Sequence, residues 1–192
     1  MTQPRAPARE KGRARVAALM SAAVATLVER GFEATTMTEI AARAGASIGT
    51  LYLFFATKDV LAQAILAETA GDLSARLDGL SERAAGLTPA QIADALFAEL
   101  AAFLDEHPVY SILLDVPGDE GWRRPVRARR RQQISALFAQ AKPALPAKQV
   151  ERLAVIVPQL MRIAFTLDAK QRIGVLEELR LMLSHHLTAA VT

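Results

Sequence analysis

The 192-residue sequence contains no cysteine. Disulfides and thiolate zinc sites are therefore excluded, which fits a reducing cytoplasm. Aromatic residues make up only 5% of the chain, and β-branched runs are scarce, so extended sheet is disfavoured. His107, His185 and His186 are the only imidazoles. The adjacent pair sits about 100° apart on a helix and cannot grip one metal as an i, i+4 pair does. His107 follows Asp105 and Glu106 and precedes Pro108, which reads as a solvated helix end. No metal and no cofactor are expected. No Ser/His/Asp spacing, glycine-rich phosphate loop or paired-carboxylate pattern occurs, so an enzyme is not expected. No apolar run approaches the roughly 18 residues of a membrane span. The basic N-terminal stretch leads into a patterned helix, unlike a signal peptide, and a cytoplasmic protein without a membrane partner is expected.

What is abundant is alanine and leucine, within a composition that is 52% hydrophobic. Both are strong helix formers. The chain is expected to be all-α, with about nine helices. Its net charge of +3 is unevenly placed. Residues 1–60 hold eight Lys/Arg against five Asp/Glu, whereas residues 61–192 hold fifteen of each. Arg5, Arg9, Lys11, Arg13 and Arg15 face only Glu10. Positive charge concentrated at one end suits contact with phosphates.

Residues 1–11 carry Pro4 and Pro7 without periodicity and read as a flexible basic arm. From Gly12, Val16, Leu19/Met20, Ala23/Val24 and Leu27/Val28 recur at helical spacing, and Gly31 fits the stop of that helix. Thr36 and Glu39 form a capping box that opens a short helix with Ile40, Ala41 and Ala44. Gly45 ends it, and Ser47 caps a third helix from Ile48 through Phe54. Thr57 starts a fourth, with Asp59 in its first turn. Farther on, Thr88-Pro89 marks a cap with proline at the first helical position. Pro108 begins a short segment that Pro117-Gly118 breaks, and two last helices are expected over roughly 147–168 and 170–189.

Two short helices joined by a turn at Gly45 have a helix-turn-helix layout, with the second helix placed for a major groove. The motif spans residues 36–55 inside a DNA-binding domain of residues 12–70. Gly49 has no Cβ, which permits close approach to DNA. Ser47 and Thr50 carry hydroxyls for phosphates or base edges, and a helix N-terminus attracts phosphate. Tyr52 offers a phenol, and Thr57 with Lys58 offers amides and a cation. Thr36 and Thr38 complete the expected DNA-binding set.

From Arg13 to about Ala70 the chain resembles the DNA-binding domain of the TetR family of regulators. The matching residues are Gly31-Phe32, Thr35-Thr36, Ile40-Ala41, Ala44-Gly45, Ser47, Gly49, Thr50-Leu51-Tyr52, Phe55 and Lys58. The resemblance implies that Thr50, Tyr52 and Lys58 contact the DNA backbone, and that Thr38, Ile48 and Gly49 face base edges. Ile48 is apolar and would read by packing, for example on a thymine methyl. Phe54 departs from the family, which often has His or Tyr there, and a phosphate contact is lost with it.

The resemblance further implies that residues 71–192 form a larger helical effector-binding and dimerisation domain. Its expected pocket comprises Phe97, Leu100, Phe103, Tyr110, Leu113, Trp122, Ile134, Met161 and Phe165, and the effector expected there is largely apolar. The expected dimer interface comprises Val150, Leu153, Val157 and Leu160 on one helix and Ile173, Leu176, Leu179, Leu183 and Leu187 on the next, pairing with their symmetry mates as a four-helix bundle. The arginine run from Arg123 to Arg131 reads as a solvated face paired with nearby acids. The expected function is a homodimeric repressor released from a palindromic double-stranded operator by a small molecule.

Overall fold

Local capping sets several of the helix boundaries in the computed structural model of the protein, which describes residues 8–114, 116, 120–165, 167 and 169–189. These residues form nine helices and no strand: α1 (Ala8–Ala34), α2 (Met37–Arg43), α3 (Ile48–Phe54), α4 (Lys58–Arg83), α5 (Pro89–Glu106), α6 (Val109–Leu114), α7 (Glu120–Ala139), α8 (Ala147–Phe165) and α9 (Ala169–Ala189). The fold is all-α, as its composition requires.

Thr36 and Glu39 make the reciprocal capping box of α2, and Thr88 and Gln91 make that of α5, where Pro89 needs no amide partner. Thr57 caps the start of α4 by accepting from the Val60 N–H at 3.2 Å. One boundary differs from expectation. Helix α1 begins at Ala8, so residues 8–11 of the expected arm are helical; Ala, Arg, Glu and Lys are strong helix formers even without an apolar stripe. Residues 1–7 lie outside the described residues, as does the Pro117-Gly118 break. Gly31, with φ 76° and ψ 172°, breaks the helix where the stop was expected, and the range Ala8–Ala34 joins two helical pieces across that kink. The Thr35 hydroxyl donates to the Gly31 carbonyl at 2.7 Å, tying down the segment after the break.

The chain divides into two compact units, with a boundary at Glu68–Thr69 inside α4, and the first unit also takes in α6. In the first unit, α1 packs on α2 and α6, and α2 packs on α3. Leu19, Leu27, Ile40, Leu51, Phe55, Leu61 and Ile65 are its buried core. In the second unit α5 pairs with α9, and α8 with α7 and α9. Leu96, Phe103, Leu137, Phe138, Val157 and Leu187 are buried there. Arg180 of α9 reaches Asp94 of α5 at 2.7 Å and Glu177 one turn back, and Ser184 donates to Asp94 at 2.8 Å.

The arginine run lies on α7. Its Arg129 pairs with Asp78 at 3.0 Å and donates to the Ser74 hydroxyl at 2.7 Å, where Gln133 joins it. The Arg123 side chain lies outside the described residues. No single helix among the described residues is long and apolar enough to cross a membrane.

Candidate nucleic-acid interface

Helices α2 and α3 are seven residues each, too short to hold their shape without tertiary support. They are joined by the turn at Gly45, which adopts φ 59°, a conformation that glycine reaches without a Cβ penalty. The Ala46 N–H closes the turn on the Ala41 carbonyl at 2.9 Å. Ser47 caps α3 by accepting from the Thr50 N–H at 3.1 Å, and the two hydroxyls are 2.8 Å apart. Leu51 and Phe55 turn inward and anchor α3 to the core.

Ion pairs fix α2 on α1. Arg43 forms a two-pronged pair with Glu29, one contact at 2.6 Å, and Arg30 meets Glu39 at 2.7 Å. The guanidinium of Arg43 holds the Glu29 carboxyl below the usual carboxylate range. The Thr36 hydroxyl and amide, helped by Arg30, do the same for Glu39.

The nine expected DNA-binding residues all lie in the first unit, but they divide by what their polar groups already do. Thr36, Ser47 and Thr57 are helix caps, and the Thr50 hydroxyl is tied to Ser47. Thr38 and Tyr52 are exposed, and neither hydroxyl has a partner among the described residues. Ile48 and Gly49 are exposed at the start of α3.

Lys58 departs from its expected place at a phosphate. Its ammonium donates to the carbonyls of Phe32 at 2.7 Å, Thr35 at 3.0 Å and Glu33 at 3.3 Å, and stands 4.3 Å from the centre of the Phe32 ring. All three N–H groups thus have carbonyl partners at the end of α1. The cause is the Gly31 break, which leaves these carbonyls outside a regular helix and aims them at the first turn of α4.

Two exposed side chains were not among the expected site residues. Leu53 is 79% exposed, and Phe54 is 38% exposed. With Leu51 buried, a helical turn of about 100° per residue carries position 53 to the far side, a signal already available in the sequence. No ion pair among the described residues engages Lys11, Arg13 or Arg15, which are exposed near the start of α1.

The expected effector residues are not brought together as a described cavity. Phe97, Leu100, Phe103, Ile134 and Met161 are packed core of the second unit. Tyr110 and Leu113 are buried core on α6, in the first unit. The Trp122 and Phe165 side chains lie outside the described residues.

Of the nine expected dimer residues, six face the chain's own core, while Ile173 is exposed and Leu160 and Leu179 line a groove. Val150, Leu153, Val157, Leu176, Leu183 and Leu187 are buried within the single chain. They form the inner stripe because helices α8 and α9 are apolar on two sides, and the strongest i, i+3, i+4 run faces the protomer's own core. Away from that stripe, Val155, Ile156, Ile163, Ile173 and Met182 are exposed, Met182 at 61%, with Ile173 and Met182 on different flanks of α9. The groove, of about 710 Å³, is lined among others by Arg152, Ile156, Leu160, Leu179, Met182 and His186.

The family model for bacterial regulatory proteins of the tetR family matches residues 19–65, from α1 into α4. No curated protein matches the chain in sequence. Solved structures resemble it over nearly its whole length. A TetR-like transcriptional regulator from Rhodococcus sp. RHA1 is 21% identical, with a TM-score of 0.70 over 96% of this chain and 99% of that one. The fatty acid degradation regulator FadR from Bacillus halodurans is 15% identical, with a TM-score of 0.72 over 94% and 96%. The regulator FadR from Bacillus subtilis, in complex with stearoyl-CoA, is 17% identical, with a TM-score of 0.62 over 92% and 99%. At such identities the likeness is one of fold.

Proposed function

We propose that this chain, whose residues 19–65 match the model of the tetR family of bacterial regulatory proteins, is a DNA-binding regulator of that family and a repressor, holding a palindromic operator as a homodimer until a small molecule releases it. The observation that carries the reading is the outward face of the helix-turn-helix. Thr38, Ile48, Gly49 and Tyr52 are presented to solvent while Ile40, Leu51 and Phe55 hold the motif from behind. Tyr52 and Thr50 hydrogen-bond to phosphates, and unpaired Lys11, Arg13 and Arg15 add charge from α1.

Two such motifs in a twofold dimer enter successive major grooves, about 34–36 Å apart. The outer face of α8 and α9 supplies the twofold contact, through Ile156, Leu160, Leu179 and Met182, in place of the inner stripe. The second unit is the effector domain. Its core around Phe97, Phe103 and Met161 is closed, so an effector acts by binding a form in which that core has opened and which grips the operator less well. One structure of the same fold holds stearoyl-CoA, so long acyl chains are the first effector class to try.

The test is footprinting of the purified protein on the DNA upstream of its own gene, across a salt series. A protected palindrome, with affinity falling steeply as salt rises, is expected. Equal affinity for random duplex would remove the repressor reading. Addition of an acyl-CoA should release the protected site; retention across chain lengths would remove that effector class.

A further inference from the structure

Helix α3, Ile48-Gly49-Thr50-Leu51-Tyr52-Leu53-Phe54, contains no Arg, Lys, Asn, Gln, Asp or Glu. Those are the side chains that read base edges by paired hydrogen bonds. The Thr50 hydroxyl is tied to the Ser47 cap at 2.8 Å. Polar readout from this helix therefore reduces to Tyr52, while three apolar side chains stand in water: Leu53 at 79%, Ile48 at 39% and Phe54 at 38% exposure.

Leu53 is the most exposed large apolar side chain described in the chain. It stands almost opposite the buried Leu51 and Phe55 and one turn after Gly49, on the line of α3 farthest from the core. Gly49 leaves that line open. A Cβ placed there meets nothing nearer than the Ser47 hydroxyl at 3.9 Å, so nothing within the chain demands a glycine. An outward leucine with a gap one turn ahead of it suits a major-groove floor whose distinctive apolar feature is the C5-methyl group of thymine.

We infer that Leu53, with Phe54 the next residue round the helix, is a specificity-determining residue that reads the operator through thymine methyl groups. The inference rests on the DNA-binding reading above and specifies its chemistry. Sequence preference arises from burying methyl against Leu53, with little hydrogen-bonded discrimination from α3. A 5-methylcytosine presents its methyl at the corresponding groove edge, so it can replace thymine as far as this contact is concerned.

The experiment uses the full chain. A duplex is selected from a random pool, then resynthesised with deoxyuridine in place of thymidine, one position at a time. Base pairing is retained and only the methyl is lost. Affinity should fall about three- to fivefold at each contacted thymine, the worth of one buried methyl. Leu53→Ser should bind more weakly and lose that discrimination at one position per half-site, while Leu53→Met keeps it; thermal melts of both variants check folding. Uniform affinity for thymidine and deoxyuridine duplexes, with selective binding retained, overturns this inference alone. Discrimination surviving in a folded Leu53→Ser protein overturns the assignment to Leu53. Failure to select any preferred duplex overturns the operator reading and this inference together.

Discussion

Among the described residues, exposed apolar side chains gather on α3 and along α8 and α9, and the two faces are built differently. On α3 they occupy a helix of seven residues, beside hydroxyl groups and within residues 1–60, the stretch of sequence that carries the excess positive charge. On α8 and α9 they run along helices of 19 and 21 residues and flank a groove. The first face is about two helical turns long, a size that fits a few base edges. The second is long enough to bury a continuous stripe against a copy of itself. An exposed leucine therefore has no single meaning; its neighbours and the length of its helix decide what it can cover.

The largest expected effect separates the faces by charge. Ile156→Glu combined with Met182→Glu should break the proposed dimer, because twofold symmetry would place four carboxylates in its apolar interface. An unpaired buried charge costs several kcal/mol, so dissociation should rise a thousandfold or more in analytical ultracentrifugation, with helical content retained. A dimer that survives these substitutions would move the interface off this face. The Leu53→Glu protein should remain dimeric and lose only DNA binding.

Lys58 provides the next test, because it decides whether the α3 face is completed by a cation or merely mounted on one. Its ammonium donates to three carbonyls and lies over Phe32. Lys58→Met removes those contacts and should destabilise the first unit by about 1–3 kcal/mol, measured by denaturant unfolding. DNA affinity should then fall only as far as folding does. A variant of normal stability with affinity reduced tenfold would restore Lys58 to the phosphate backbone.

These contrasts also explain what the sequence made legible. The caps at Thr36, Ser47 and Thr88 and the positive φ of Gly31 and Gly45 are local effects, so residue type and spacing of three or four suffice to find them. The Lys58 cage joins residues 23 to 26 positions apart, and no periodic pattern reports such a contact. The inner and outer stripes of α8 and α9 are both apolar, so periodicity finds a stripe without saying which one faces the protomer's own core. The expected pocket residues divide between the two units for a related reason. Phe97 and Tyr110 have similar chemistry, but α6 joins the first unit, which short-range pattern cannot reveal.

Gly49 gives a smaller effect of opposite sign on folding and function. Glycine in a helix is about 1 kcal/mol less favourable than alanine, and a Cβ here has room. Gly49→Ala should therefore raise the melting temperature slightly while weakening DNA binding, because the new methyl stands on the outward line with Leu53. Stabilisation with unchanged affinity would mean that DNA does not approach this line, and the comparison of the two faces would lose its first member.

Acid should produce the smallest effect, and it probes how the faces are mounted rather than the faces themselves. Helix α2 is held to α1 by Arg30–Glu39 and Arg43–Glu29, and α9 to α5 by Arg180, which also grips Glu177. Hydrogen bonds from their partners lower the Glu29, Glu39 and Glu177 carboxyls in the folded chain. A lowered folded-state value means that the stabilisation is present above the unfolded value, about 4.3 for Glu, and is lost as pH falls through the folded one. These groups lie at the surface, where solvent screening keeps each pair weak. Amide exchange in α2 and α9 should thus show no contribution from these three carboxylates between pH 8 and 5, and should rise only below the ordinary carboxylate range. Replacing Glu29 and Glu39 together with Gln should remove the acid-dependent part in α2 and leave that of α9 unchanged. If α2 loosened already near pH 6, some group other than these carboxylates would hold the recognition face in place.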